Sequence, residues 1–170
     1  AAAGAVTAMI TVWMLMGKPD LSMTMNGALA GLVAITAPCA YVSPVAAIII
    51  GAVGGILVVL GVLLLDRIRV DDPVGAVPVH GVNGIWGTLA VGLFDRSNGL
   101  CCGGGTKLLG VQVLGVLCVS LFVMVSMGIV FFTIKKTIGL RVSKDEELRG
   151  LDIGEHGMES YAGFQIFVTE

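Results

Sequence analysis

Long stretches without a single charged residue constrain the fold of this chain more than any other feature. Its ten basic and twelve acidic residues are absent from residues 1–17, 26–65, 73–94 and 108–134, and twelve of them lie in 135–170. A charged side chain at the centre of a bilayer costs about 3 kcal/mol, so such uncharged blocks are typical of membrane-spanning helices. Charged residues make up 13% of the chain, against about 25% in a soluble domain. The sequence therefore predicts an all-α fold, a polytopic membrane helical bundle.

Five stretches are predicted to be membrane-spanning helices. A helix that crosses the hydrocarbon core needs about 20 residues, and Pro38 and Ser43-Pro44 divide the longest uncharged block into two segments. Pro44 suits the first helical position with Ser43 as its N-cap, and Gly139 is placed to end the last helix. The predicted spans are residues 1–17, 26–42, 44–65, 77–94 and 108–138, followed by a tail at 139–170.

Glycines within these spans predict close helix packing, because small residues let membrane helices approach one another. They include Gly27, Gly31, Gly51, Gly54, Gly55 and Gly61.

The basic residues predict which side of the membrane each loop faces. With the C-terminus in the cytoplasm, the cytoplasmic segments hold eight of the ten Lys and Arg residues, and only Arg96 and Lys107 lie outside. The positive-inside rule therefore favours a cytoplasmic tail.

His80 is the one histidine inside a predicted span, and it is the first candidate for a functional residue. An ionisable side chain within a membrane is by default a functional hypothesis, and imidazole can both donate and accept near physiological pH. The alternative is a neutral core imidazole that bonds a neighbouring carbonyl. Asn83 lies one turn further on, so it is predicted on roughly the same face, either lining the same path or forming interhelical contacts.

No other pattern indicates catalysis, so the chain is predicted not to be an enzyme and to use no cofactor. The charged segment 66–73 is interpreted as a solvated loop whose acids cap the following helix. There is no phosphate-binding loop, no metal-ligand cluster and no C-x-x-C spacing. Cys39 and Cys118 are predicted to be packing residues, whereas Cys101 and Cys102 lie in a glycine-rich loop to which we assign no chemistry. The net charge of −2 gives no indication of nucleic-acid binding.

Three segments resemble the Amt ammonium transporters. They are NGALAGLVAITAPCAYVSPVAAIIIG at 26–51, DDPVGAVPVHGVNGIWGTLAVGLF at 71–94 and GLRVSKDEELRGLDIGEHGMESYAGF at 139–164. They follow in the family's order and spacing and, together, cover nearly the whole chain.

The resemblance implies a fold of eleven membrane helices in two inverted five-helix repeats plus a final helix, assembled as a homotrimer with one pore per subunit. The five predicted helices would be the last five, and the protein would lie in a prokaryotic plasma membrane with a cytoplasmic C-terminus.

The resemblance also implies a role for His80, which matches the second of two histidines in the family's apolar pore. The resemblance implies that ammonium is recruited at the outer mouth, deprotonated and carried through mostly as ammonia. The only other histidine, His156, lies in the tail. The first pore histidine, the aromatic outer gate and the external recruitment site belong to helices that this chain lacks. They are expected from the missing N-terminal half of a longer polypeptide or from another chain.

The tail resembles the region through which prokaryotic members are shut by PII-type signalling proteins and which couples neighbouring subunits. Gly154 stands where plant members carry a regulatory threonine, so that phosphorylation switch is predicted to be absent. The positions assigned to this regulatory tail are Gly139, Arg141, Gly150, Leu151, Asp152, His156, Gly157 and Tyr161.

The predicted function is ammonium transport, with His80 as a pore-lining proton relay. One alternative is an ammonium sensor built on the same fold. Another is a degenerate structural subunit, in which replacing His80 would change nothing.

Overall fold

The computed structural model of the chain describes residues 1–160, in which all regular secondary structure is helical, as predicted. Residues 1–120 form one compact unit, and a second begins at Leu121. The elements are α1 (Ala2–Met16), α2 (Leu21–Thr36), α3 (Pro44–Arg67), a π-helical turn (Val77–Val82), α4 (Asn83–Phe94), a 3-10 turn (Leu100–Cys102), α5 (Lys107–Thr137), α6 (Lys144–Arg149) and α7 (Leu151–His156).

Capping residues set several helix ends where the sequence predicts them. The Ser43 hydroxyl accepts a hydrogen bond of 3.2 Å from the backbone N–H of Ala46, and Pro44 opens α3. At the end of α5, Gly139 has a φ of 92°, and its N–H donates to the carbonyl of Ile134 at 2.9 Å. The helical stretches at 2–16, 44–67, 77–94 and 107–137 lie within two residues of four predicted segments.

The predicted boundaries 26–42 are wrong for α2, which runs from Leu21 to Thr36. The helix begins earlier because the Asp20 carboxylate accepts a hydrogen bond of 2.7 Å from the N–H of Met23, as an N-cap residue does. It ends earlier because Pro38 cannot continue it. The Pro38 carbonyl instead accepts from Tyr41 N–H at 2.8 Å and from Val42 N–H at 3.1 Å, forming a turn before α3.

Three helical segments among the described residues are long and apolar enough to cross a membrane by length and composition. They are Pro44–Arg67, Val77–Phe94 and Lys107–Thr137. The apolar helices α1 and α2 have 15 and 16 residues and so reach roughly 22 to 24 Å at about 1.5 Å per residue.

Glycines allow α1, α2 and α3 to pack against one another almost backbone to backbone. A Cβ atom on Gly4 would overlap the carbonyl oxygen of Gly27, and one on Gly55 would overlap the carbonyl oxygen of Gly4. Near the same contact, the Thr7 hydroxyl donates to the carbonyl of Ala52 at 2.8 Å. The predicted packing role of glycines is thus confirmed at this junction.

Helix α5 contains no buried residue. Cys118, a predicted packing residue, has an exposed side chain on this helix. Cys39 is exposed as well, because it lies in the turn that follows α2 rather than inside a helix.

Candidate functional site

His80 lies in the π-helical turn Val77–Val82, and its side chain is exposed. π-Helical turns are rare and occur frequently at functional sites.

Asp72 caps this turn at its N-terminal end. One carboxylate oxygen accepts from the N–H of Ala76 and the other from the N–H of Val77, both at 2.8 Å. Such bonds satisfy backbone donors that a helix start leaves free, and a carboxylate there is favoured by the helix dipole. The interpretation of the acidic loop as a helix cap is confirmed for Asp72.

Pro78 fixes the turn against α3. Its ring is fully buried, and a Cβ atom on Gly61 would lie 2.9 Å from Pro78 Cβ. Any larger residue at position 61 would push the π-helical turn away from α3.

Asn83 is fully buried at the junction of the π-helical turn and α4. Its Nδ2 donates to the carbonyl oxygen of Pro78 at 2.9 Å. Its Oδ1 has no hydrogen-bond partner within the part of the chain that the structure describes. A Cβ atom on Gly54 would lie 2.8 Å from this oxygen. A buried unpaired acceptor costs about 1–3 kcal/mol, so the site keeps this amide despite an energetic penalty.

The structure separates His80 from Asn83, which were predicted to share a face. His80 is exposed, whereas Asn83 is enclosed by neighbouring helices. The difference arises because a π-helix has more residues per turn than an α-helix, so three residues complete a smaller part of one turn. The Asn83 amide bonds the Pro78 carbonyl within its own helical segment and is packed against Gly54 of α3.

Trp86 was not singled out from the sequence, although it lies one turn after Asn83. Its indole N–H donates to the carbonyl oxygen of Ile50 at 3.0 Å, joining α4 to α3. A Trp within an apolar run is a recognisable signal, because its N–H usually finds a hydrogen-bond partner when it is buried.

Two loops meet at the opposite end of α4 from Asp72. The Arg96 guanidinium donates to the carbonyl of Val42 at 2.7 Å, and the Arg96 N–H donates to the carbonyl of Tyr41 at 3.0 Å. Near the Asp72 end, Asn26 Nδ2 donates to the carbonyl of Val74 at 3.1 Å. These contacts join the turn before α3 to the loop after α4, and the start of α2 to the loop before the π-helical turn.

The tail forms two short helices. Ser143 caps α6, and Arg141 forms an exposed ion pair with Glu147 at 3.2 Å. Gly150 and Gly157 have φ values of 95° and 67°, at the start and the end of α7.

The remaining tail positions lie in α7 or beyond the described residues. Gly154 lies within α7, which begins at Leu151 and ends at His156. Tyr161, the last of the predicted tail positions, lies outside the described residues.

Asp152 organises the end of the described tail. Its carboxylate accepts hydrogen bonds from the N–H groups of Ser160 at 3.1 Å and of Ile153 at 3.0 Å. The bond from Ser160, followed by that from Ile153, lowers the pKa of the Asp152 carboxyl below its ordinary value, because both favour the ionised form.

Comparisons with known proteins agree on one family. The Ammonium Transporter Family model matches residues 1–161. Ammonium transporter Amt2 of Archaeoglobus fulgidus is 44% identical over the whole of this chain, which covers 39% of that protein. A solved structure named Sensor Amt Protein superposes with a TM-score of 0.79 at 38% identity, covering 91% of this chain and 39% of that one. Mep2 of Saccharomyces cerevisiae gives a TM-score of 0.77 at 27% identity, covering 85% of this chain and 35% of Mep2.

Proposed function

The chain belongs to the ammonium transporter family, and we propose that it is the C-terminal part of a complete transporter that moves ammonium across a bilayer. It spans about two fifths of the length of the relative from Archaeoglobus fulgidus. The remaining helices come from the rest of the same polypeptide or from a partner chain. Proteins of this family are ammonium transporters rather than enzymes.

The observation that carries the proposal is the exposed imidazole of His80 on a π-helical turn within an apolar helical segment. A bare cation pays a large desolvation cost in a narrow apolar path, whereas neutral ammonia does not. An imidazole on such a path accepts a proton or bonds ammonia, because it is both a donor and an acceptor when neutral. Potassium has no proton to give up, so the same path excludes it.

We further propose that α1, α2, α3, the π-helical turn with α4, and α5 each cross the bilayer, with the tail in the cytoplasm. The contact between Arg96 and Val42 supports this arrangement, since it requires both external loops to lie on one side. The contact between Asn26 and Val74 likewise supports a shared cytoplasmic side for the two opposite ends.

The assembled form we propose is a homotrimer in a prokaryotic plasma membrane, with a PII-type signalling protein acting on the tail. The two tail helices and the hydrogen bonds of Asp152 support a tail partner, because they give it a defined surface. The proposed regulatory segment is 139–164, and only its part up to residue 160 is described.

A second candidate is an ammonium sensor. It is favoured by one observation, the 38% identity to the structure named Sensor Amt Protein. A sensor binds ammonium through the same His80 region but passes no net flux.

The test is ammonium flux in liposomes that contain the complete protein. We expect ammonium flux in the wild-type protein and a flux at least about tenfold lower in His80→Ala. Loss of a proton-transferring side chain lowers enzymatic rates by at least as much. The control is Ser126→Ala in α5, whose hydroxyl bonds only its own helix, to Phe122 at 2.7 Å and Val123 at 3.3 Å. Saturable ammonium binding without flux would favour the sensor. Unchanged flux in His80→Ala would refute the role of His80.

A further inference from the structure

Asn83 brings two hydrogen-bond donors to one carbonyl oxygen. Its backbone N–H points to the carbonyls of Pro78 and His80, and its side-chain Nδ2 donates to the same Pro78 oxygen at 2.9 Å. The backbone bond from residue 83 to residue 78 spans five positions, which is the spacing that defines a π-helix. The side chain of Asn83 therefore reinforces the bond that makes this turn wider than an α-helical one.

The environment of the amide shows that packing alone does not explain it. Asn83 is fully buried, and its Oδ1 has no partner among residues 1–160. An apolar side chain of similar volume would fill the space without burying an unpaired oxygen. The amide also needs Gly54, since a Cβ atom there would lie 2.8 Å from Oδ1. Within the described residues, the bond to the Pro78 carbonyl is the one polar contact that this side chain makes.

The orientation of His80 depends on that bond. His80 lies between Pro78 and Asn83, inside the widened turn. If the N–H of residue 83 bonded the carbonyl of Val79 instead, the segment would become α-helical. Shortening this hydrogen bond from five residues to four rotates the segment before it relative to α4 by up to about 100°.

We propose that Asn83 is a positioning residue, which holds the π-helical turn in the register that directs His80 toward the ammonium path. The inference rests on the proposed function and adds a residue that does not itself touch ammonium. Asn83 acts through the Pro78 carbonyl, and Gly54 leaves room for its amide.

The first measurement is ammonium flux per folded molecule for Asn83→Ala and Asn83→Leu in the complete transporter in liposomes. Asn83→Leu keeps the branched shape with slightly bulkier methyl groups, so only Asn83→Ala leaves a cavity. We expect flux to fall at least about tenfold in both, because small misplacements of a reacting group have large effects. The matched control is Thr88→Val, which deletes a bond of 2.9 Å from a side chain of α4 to the carbonyl of Gly84, and flux within twofold of wild type is expected.

The second measurement is the structure of the Asn83→Ala protein. If Asn83 contributed only to stability, the π-helical turn would be unchanged in this structure. We expect the N–H of residue 83 to bond the Val79 carbonyl and the imidazole of His80 to turn away from its wild-type direction. An unchanged π-helical register, or flux per folded molecule equal to that of Thr88→Val, would overturn the inference. Failure of both Asn83 variants to assemble would also overturn it, since Asn83 would then be needed for global folding. Absence of flux in the wild-type protein would instead count against the proposed function.

Discussion

The indole nitrogen of Trp86 lies 3.0 Å from the backbone carbonyl oxygen of Ile50, and this hydrogen bond joins the helix that follows His80 to α3. Ile50 itself is fully buried in an apolar cluster that also contains Ala34 and Ala90. The bond therefore adds a directional polar contact between α4 and α3 to the apolar packing at this point.

Replacing Trp86 with Phe is expected to lower the free energy of unfolding by about 1 kcal/mol, because an interhelical hydrogen bond in a membrane protein contributes about that much. The measurement is thermal unfolding of the purified complete protein in detergent. Trp13→Phe serves as the control, since Trp13 is 53% exposed. Equal shifts for the two variants would show that the Trp86–Ile50 bond has no stabilising effect.

Gly55→Ala is expected to destabilise the first unit by about 1–3 kcal/mol, the usual cost of overpacking a tight core. The added methyl group overlaps the carbonyl of Gly4 and the hydroxyl of Thr7. Gly110→Ala in α5 is the control, because no atom lies within 4 Å of a Cβ at that position. Thermal unfolding of both variants measures the difference, and a Gly55→Ala protein as stable as Gly110→Ala would contradict the close contact of α1 and α3.

Asp72→Asn is expected to weaken the start of the π-helical turn by about 1 kcal/mol, as the loss of a helix cap does. An amide presents N–H groups where one carboxylate oxygen now accepts from Ala76 or Val77. Hydrogen exchange of these two backbone amides should become faster, and ammonium flux should fall. Asp71→Asn is the control because Asp71 is exposed. Exchange that is equally slow in both variants would refute the capping role.

The tail is expected to loosen in acid through Asp152. Its pKa is lower in the folded tail than the ordinary value of 3.8, so its stabilising effect is complete above that value and is lost as the pH falls through the folded pKa. Hydrogen exchange at the Ser160 and Ile153 amides should therefore rise in this acidic window relative to neighbouring amides. In Asp152→Asn these amides should already exchange fast at neutral pH, whereas Glu155→Gln should behave as wild type. Protection that persists in Asp152→Asn would exclude the carboxylate as its cause.

The proposed orientation can be tested with single cysteines. A membrane-impermeable maleimide added to intact cells should label a variant that retains only Cys102, which lies exposed in the loop after α4. A cysteine-free variant with Ser143→Cys should be labelled only after the cells are opened. The reverse pattern would show that the tail faces outward.

Helix ends set by a local capping residue could be predicted from the sequence. Ser43, Pro44 and Gly139 act as their types predict, because the bonds they form lie within a few residues of chain. The predicted start of α2 at residue 26 was too late, because residues 21–25 also lack charges and Asp20, directly before them, is the N-cap.

The geometry around His80 could not be predicted in the same way. Its π-helical turn depends on Pro78 meeting Gly61 and on Asn83 meeting Gly54, and both glycines lie in α3, well before the turn in sequence. Helical periodicity alone assigns an α-helix there, and it therefore placed His80 and Asn83 on one face.

The backbone-to-backbone contact of α1, α2 and α3 has a consequence for how the chain can change over evolution. Its buried side chains are almost all glycine, alanine and valine, which lose little rotamer freedom when helices associate. Assembly of these helices thus carries a small entropic cost, and its stability depends on short distances between main chains. Such an interface has no flexible side chain to absorb an extra methyl group. Sequence drift on these faces should therefore be confined to exchanges among the smallest residues.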